Sequence, residues 1–227
     1  MQALRGPIKK VYRAIFGSNF VGSQKYWDSR YAAGGNSGAG SYNRLAEFKA
    51  EILNAFVKEQ GIATVAEFGS GDGAQLQLAD YPQYAGIDVS PNAVARCRQL
   101  FAADPTKRFM LTGEVPAGFT AELTLSLDVI YHLVEDAVFD QYMRTLFGAS
   151  TRFVAVYSSN LDKEWSSEHV RHRKFTSWVE RHQPNWHLLQ TIKNRYPYDA
   201  NDPDNTSFAD FYIYAIGQGP RGQGSRA

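Results

Sequence analysis

Residues 62–88 read IATVAEFGSGDGAQLQLADYPQYAGID. An apolar run from Ile62 to Phe68 breaks at GSGDG, residues 69–73. A short helix-like stretch follows, and a second apolar run, Tyr84 to Val89, carries Asp88. The pattern is that of strand, glycine-rich turn, helix and strand, one βαβ unit with an acid at the tip of its second strand. A parallel crossover needs about a dozen residues, and Gly69 to Gln83 is just enough. In an open α/β sheet, ligands bind beyond the carboxyl ends of the strands. Gly69 to Gly73 and Asp88 fall there together, so a pocket for a ribose-bearing molecule is expected.

Working outward, the same rhythm repeats. Residues 44–60 place Leu45, Phe48, Ile52 and Phe56 on one helical face, and Gly61 stops that helix. Ser90-Pro91-Asn92 opens the next helix, with serine as cap and proline in the first turn. Strands are expected at Arg108–Thr112, Leu123–Ile130 and Arg152–Tyr157, with a helix over 134–147 between the last two. Strands apolar on both faces, alternating with helices, belong to a parallel sheet covered on both sides. A polar insertion, 158–183, interrupts this order and ends in a short helix, Phe175 to His182. Trp186–Ile192 and Phe208–Ile216 then form a terminal antiparallel hairpin around the turn-rich loop 194–207. The expected fold class is α/β, a Rossmann-like, doubly wound, mostly parallel sheet closed by that hairpin.

The flanks differ in character. Residues 1–21 fit a short amphipathic helix docked on the domain. Residues 22–43 are glycine-rich and carry Tyr26, Trp27, Arg30, Tyr31 and Tyr42, which favours a lid or binding loop over a plain linker. Arg30 is expected to pair with a carboxylate through its planar fork. We divide the chain into the helix and lid segment at 1–43, one domain at 44–217 and a disordered tail at 218–227.

Composition narrows the class. In 227 residues, 44% are hydrophobic and 21% charged, as in an ordinary soluble domain. The net charge of +1 argues against a nucleic-acid acceptor, which a strongly basic face would serve better. One cysteine, Cys97, excludes an intramolecular disulfide and a cysteine-rich metal site. No stretch is apolar enough to span a membrane, and the N-terminus lacks a signal-peptide pattern. A cytoplasmic setting is the expectation. No metal site is expected, and the oligomeric state is not fixed by the sequence.

GSGDGA at 69–74 also fits the dinucleotide pattern G-x-G-x-x-A, with Asp88 19 residues beyond Gly69. A nicotinamide-dependent oxidoreductase is therefore one reading. Glu67 just before the turn and Asp72 inside it weigh against a pyrophosphate. The terminal hairpin weighs against a second βαβ half. A cofactor with a ribose, a positive charge and no phosphate suits these acids better.

With VAEFGSGDG at 65–73, YAGIDVSPNAV at 84–94 and LTLSLDVIYHL at 123–133, the chain resembles the class I S-adenosylmethionine-dependent methyltransferases over roughly residues 45–217. The resemblance implies S-adenosyl-L-methionine as cofactor. It places Gly69, Ser70 and Gly71 along the methionine part, and Glu67 or Asp72 near the ammonium. Asp88 would take both ribose hydroxyls, and Val89 and Glu114 would flank adenine. Leu127 and Asp128 would lie near the sulfonium. Glu114 departs from the aspartate that many relatives carry there.

A hydroxyl acceptor needs a base, and histidine can be neutral at physiological pH. His132, four residues beyond Asp128, is the first candidate; His169 and His172 in the insertion are the others. Tyr26, Trp27, Tyr31, Trp165, Tyr196 and Tyr198 offer flat surfaces, and Asp162, Asp199 and Asp202 offer acceptors for sugar hydroxyls. The expected activity is O-methylation of a small molecule, natural product or carbohydrate. A non-catalytic module that binds the cofactor is the remaining alternative.

Overall fold

The computed structural model describes residues 22–217, so the expectations for the first helix and for the tail fall outside it. Seven strands form one sheet in the order β3-β2-β1-β4-β5-β7-β6. They are β1 Thr64–Phe68, β2 Gln83–Asp88, β3 Lys107–Leu111, β4 Ala121–Leu127, β5 Ser150–Ser158, β6 Trp186–Ile192 and β7 Asp210–Ile216. The first five pair in parallel, and β7 runs antiparallel between β5 and β6. The expected class is therefore the observed one.

Both faces of the sheet are covered. Helices α2 (Asn43–Glu59) and α3 (Pro91–Leu100) pack on one face through Phe48, Leu53, Phe56, Val94 and Cys97. Helices α4 (Asp136–Gly148) and α5 (Phe175–His182) cover the other through Phe139, Met143, Leu146 and Trp178. Val138 lies on the outer side of α4 and is 44% exposed. Local signals set the boundaries. Gly61 adopts φ +59 after α2, and the amides of Gly61 and Ile62 donate back to the carbonyls of Lys58 and Val57. Ser90 Oγ accepts from the Ala93 amide, with Pro91 opening α3.

Two connections differ from expectation. The β1–β2 crossover holds only a 3-10 turn, Gln75–Leu78, because the chain is too short there for a longer helix. The glycine-rich segment contains a ten-residue helix, α1 (Ser23–Ala32). That helix has no apolar stripe and is fastened by polar contacts instead. Among the described residues, no helix is long and apolar enough to cross a membrane.

Candidate active site

The turn after β1 is built from left-handed backbone. Gly69, Gly71 and Gly73 have φ of +83°, +60° and +81°, a region that L side chains rarely adopt. A Cβ on Gly69 would lie 2.5 Å from the Val129 side chain, and one on Gly71 would collide with Ser37 Oγ. The amides of Gly69 and Ser70 both donate to the Ile87 carbonyl, which ties the turn to the end of β2. Asp88 completes this corner. Its two oxygens accept from the amides of Gly71 and Ser90, each at 2.9 Å. A carboxylate has about four lone-pair positions, so two remain for ribose hydroxyls. Burial pushes the Asp88 carboxyl up, against the pull of those backbone donors. Ser70 Oγ is buried and has no hydrogen-bond partner.

Residues 23–42 lie across this corner. Ser23 donates to Glu135 through its amide and its hydroxyl, and Asp28 accepts from Ser90 Oγ at 2.7 Å. Asp72 accepts from the Ser37 amide at 3.0 Å and from Tyr42 OH at 2.7 Å. Burial opposes its charge, but these donors outweigh burial and hold Asp72 below the usual carboxylate range. Asp72 is thus committed to fastening this segment, while the corner beside it is glycine backbone. Among the described residues, Arg30 makes no ion pair with a carboxylate. Its guanidinium holds the Asn36 carbonyl at 2.6 Å and the Asn36 side-chain oxygen at 3.2 Å, closing its own loop.

At the tip of β4 stands an ion pair between a buried lysine and a largely covered aspartate. Lys49 of α2 is 1% exposed, and its Nζ lies 2.7 Å from Asp128 Oδ2. Asp128 Oδ1 accepts from Tyr131 OH at 2.9 Å. Asp128 itself takes φ +59°, which aspartate tolerates better than most residues. Gly40 approaches so closely that a Cβ there would stand 2.7 Å from Asp128 Oδ2. Lys49 is a residue of this candidate site that the sequence analysis does not single out. One turn along from Leu45 and Leu53, it sits within the apolar stripe of α2, and a charge in such a stripe is the signal.

The three candidate histidines converge beside this tip. His132 lies in an aromatic stack: the His169 ring is parallel to it at 5.6 Å, and Trp27 meets it edge-on at 4.8 Å. Tyr26 stacks on His169 at 4.5 Å. His132 Nδ1 is 3.0 Å from the His169 carbonyl. A carbonyl only accepts, so Nδ1 carries the proton and Nε2 keeps its lone pair. Burial brings the His132 ring down to about 4, against the pull of that carbonyl. His172 is buried beside Tyr131, with Nδ1 2.7 Å from Ser159 Oγ and Nε2 unpartnered.

Other expected site residues stand elsewhere or do other work. Glu114 caps the turn after β3 by accepting from the Leu111 amide at 2.9 Å, and it pairs with Arg98 at 2.8 Å. It is a half-exposed cap and ion-pair partner, as its place after a strand allows. Leu127 is buried at the end of β4, whereas Val89 is 37% exposed beyond Asp88. Tyr196 stacks under Arg44, Asp202 pairs with Arg44, and Asp199 accepts from the Asn201 amide. These contacts tie the loop 194–207 to α2 and to itself. Trp165 packs edge-on to Tyr198, Phe208 and His172.

A groove of about 990 Å³ runs under the insertion, lined by Trp165, His172, Lys174, Trp178 and Asp162 among others. It adjoins the histidine cluster through His172 but does not include the glycine turn or Asp88. A smaller cavity of about 480 Å³ touches Asp72 and Tyr42. Among the described residues, no group of three or more His, Cys, Asp or Glu side chains has a metal-holding arrangement.

The fold and its glycine–aspartate corner define a class. Over 87% of its length the chain superposes on all of the N-methyltransferase NodS from Bradyrhizobium japonicum WM9, solved with S-adenosyl-L-homocysteine, at TM-score 0.67 and 14% identity. Magnesium protoporphyrin IX methyltransferase (ChlM) from Synechocystis PCC 6803, with bound SAM, matches 92% of this chain and 97% of its own at TM-score 0.58 and 15% identity. The small RNA methyltransferase HEN1 matches 80% of this chain and 26% of its own at TM-score 0.57 and 16% identity. No protein-family model and no curated protein matches the sequence. The chain has the class I S-adenosylmethionine-dependent methyltransferase fold.

Proposed function

We propose that the protein is an S-adenosylmethionine-dependent methyltransferase that acts on a hydroxyl of a small molecule or glycan. The observation that carries the cofactor reading is the corner itself: three left-handed glycines beside Asp88, whose remaining lone pairs suit a ribose. When bound, S-adenosylmethionine supplies a methyl group on a sulfonium sulfur. Asp88 would hold the ribose hydroxyls, and the backbone of Gly69 and Gly71 would admit the methionine part. Residues 23–42 would act as the lid that excludes water. The His132 tautomer favours an oxygen acceptor, because Nε2 can receive the hydroxyl proton. The groove under the insertion is the proposed approach for the acceptor.

An RNA acceptor is the second reading. HEN1, which shares this fold, is named for small RNA, so the fold itself does not exclude a nucleic-acid acceptor. A nitrogen acceptor, as in the N-methyltransferase NodS, needs no base at His132.

Transfer of labelled methyl from S-adenosylmethionine to a panel of saccharides, phenols and RNA oligonucleotides tests the choice. Label in a saccharide or phenol hydroxyl is expected. His132→Ala should lower kcat by about 100-fold or more while cofactor affinity holds. An unchanged rate would remove His132 as base. Because His132 stays neutral down to about pH 4, its protonation should not slow the reaction between pH 8 and pH 5. Below that, the rate should fall as Nε2 gains a proton. An inflection near pH 6.5 that disappears in His132→Ala would contradict the buried, neutral ring.

A further inference from the structure

Within its ten residues, α1 touches three parts of the candidate site. Ser23 donates to Glu135 just before α4, and Trp27 meets the His132 ring edge-on at 4.8 Å. Asp28 accepts from Ser90 Oγ at 2.7 Å and from Asn92 Nδ2 at 3.1 Å. A helix of this length is marginal on its own in water, and most are held by an apolar face. Because α1 has no such face, these polar and ring contacts decide where it sits.

Ser90 joins two carboxylates. Fully buried, it donates its amide to Asp88 and its hydroxyl to Asp28. A ligand that fixes Asp88 therefore fixes the donor that Asp28 needs. Beside Asp28 in the chain, Trp27 is braced by the Tyr31 ring at 6.0 Å and by the Arg30 guanidinium at 5.7 Å. Tyr26 stacks on His169, whose carbonyl sets the His132 tautomer.

We propose that Trp27 is a positioning residue for His132, and that Asp28 makes its seating depend on the nucleoside held at Asp88. Resting on the methyltransferase reading, this coupling sets an order: the nucleoside binds first, and the base is then set for the acceptor. The surroundings of His132 agree. Trp27, Tyr131 and His169 are the rings packed against it, and of these Trp27 belongs to α1. His169 from the insertion, Asp128 from the tip of β4 and Arg30 from α1 are the charged or titratable groups that act on it, and burial outweighs them.

Hydrogen exchange and histidine-ring NMR read both halves without an acceptor. S-adenosylhomocysteine is expected to slow exchange of the α1 amides about tenfold in the wild type. In Asp28→Ala the ligand should still bind, with exchange of α1 unchanged by it. Asp28→Asn keeps an oxygen for Ser90 and should restore the response. The ring signal that disappears in His132→Ala identifies His132 among the five histidines. In the wild type that signal should not move between pH 8 and pH 5. In Trp27→Ala water reaches the ring, and its midpoint should climb toward about 6.5. Trp27→Phe keeps a ring in place and should behave as the wild type. Ligand binding without slowed exchange in the wild type, or equal slowing in Asp28→Ala, would overturn the coupling. A His132 signal that stays fixed in Trp27→Ala would overturn the positioning role. Both outcomes leave the methyltransferase reading standing, whereas no ligand binding at all would overturn that reading and this proposal with it.

Discussion

Replacing Lys49 by methionine is expected to cost about 3–5 kcal/mol of folding stability. The side chain is 1% exposed, and its ammonium lies 2.7 Å from Asp128. Methionine fills much of the lysine stem's volume but leaves the largely covered carboxylate with Tyr131 OH as its remaining side-chain donor. The loss is thus a desolvated charge without its counter-ion, not a cavity. The double variant Lys49→Met with Asp128→Asn replaces the ion pair by neutral groups and should recover most of the loss. Urea denaturation of the two single variants and the double variant measures the coupling. Additive losses would mean that the pair is not the unit that holds the tip of β4. The same pair fixes where the Gly40 loop sits, so Lys49→Met should also loosen residues 38–42 over Asp128.

Asp88→Asn is expected to weaken S-adenosylmethionine binding about 100-fold. Charge-assisted hydrogen bonds contribute roughly 1.5–3 kcal/mol each, and two ribose hydroxyls would rely on this carboxylate. Asparagine has one acceptor oxygen where aspartate has two. That oxygen can serve the amide of Gly71 or of Ser90, which now share the carboxylate, and little is left for a ligand. Burial already holds the Asp88 carboxyl up, so neutralising it should affect folding less than it affects binding. A small loss in thermal denaturation, from the one amide left without its acceptor, together with a strongly weakened titration is the expected pair of results. Equal affinity in wild type and variant would place the ribose elsewhere.

Much of this arrangement was legible where local chemistry and tertiary need agree. Ser90-Pro91 announces α3 because a serine oxygen can cap the helix and proline's missing amide costs nothing there. Gly61 announces the end of α2 because the left-handed turn favours glycine. The spans of α5 and β6 follow directly from their apolar spacing. Helix α1 was hidden because it lacks a buried stripe; contacts from Ser23 to Glu135 and from Asp28 to Ser90, more than 60 residues apart in each case, hold it. No local pattern carries that information. Glu114 and Arg30 were placed by analogy and by side-chain type. Arg98 and Asn36 engage them instead, and such partners are chosen by packing. The convergence of His132, His169 and His172 was legible only as a list, because the insertion's path back to the tip of β4 is set by contacts such as the Arg171 amide donating to the Tyr131 carbonyl.

The central claim is that the corner formed by Gly69–Gly73 and Asp88 holds an S-adenosyl nucleoside. Calorimetric titration of the protein with S-adenosylmethionine, S-adenosylhomocysteine and NAD tests it most directly. Saturable binding of either adenosyl ligand, with no response to NAD, is the result predicted. Binding of NAD alone would contradict the account and recast Asp88 as the ribose anchor of an oxidoreductase.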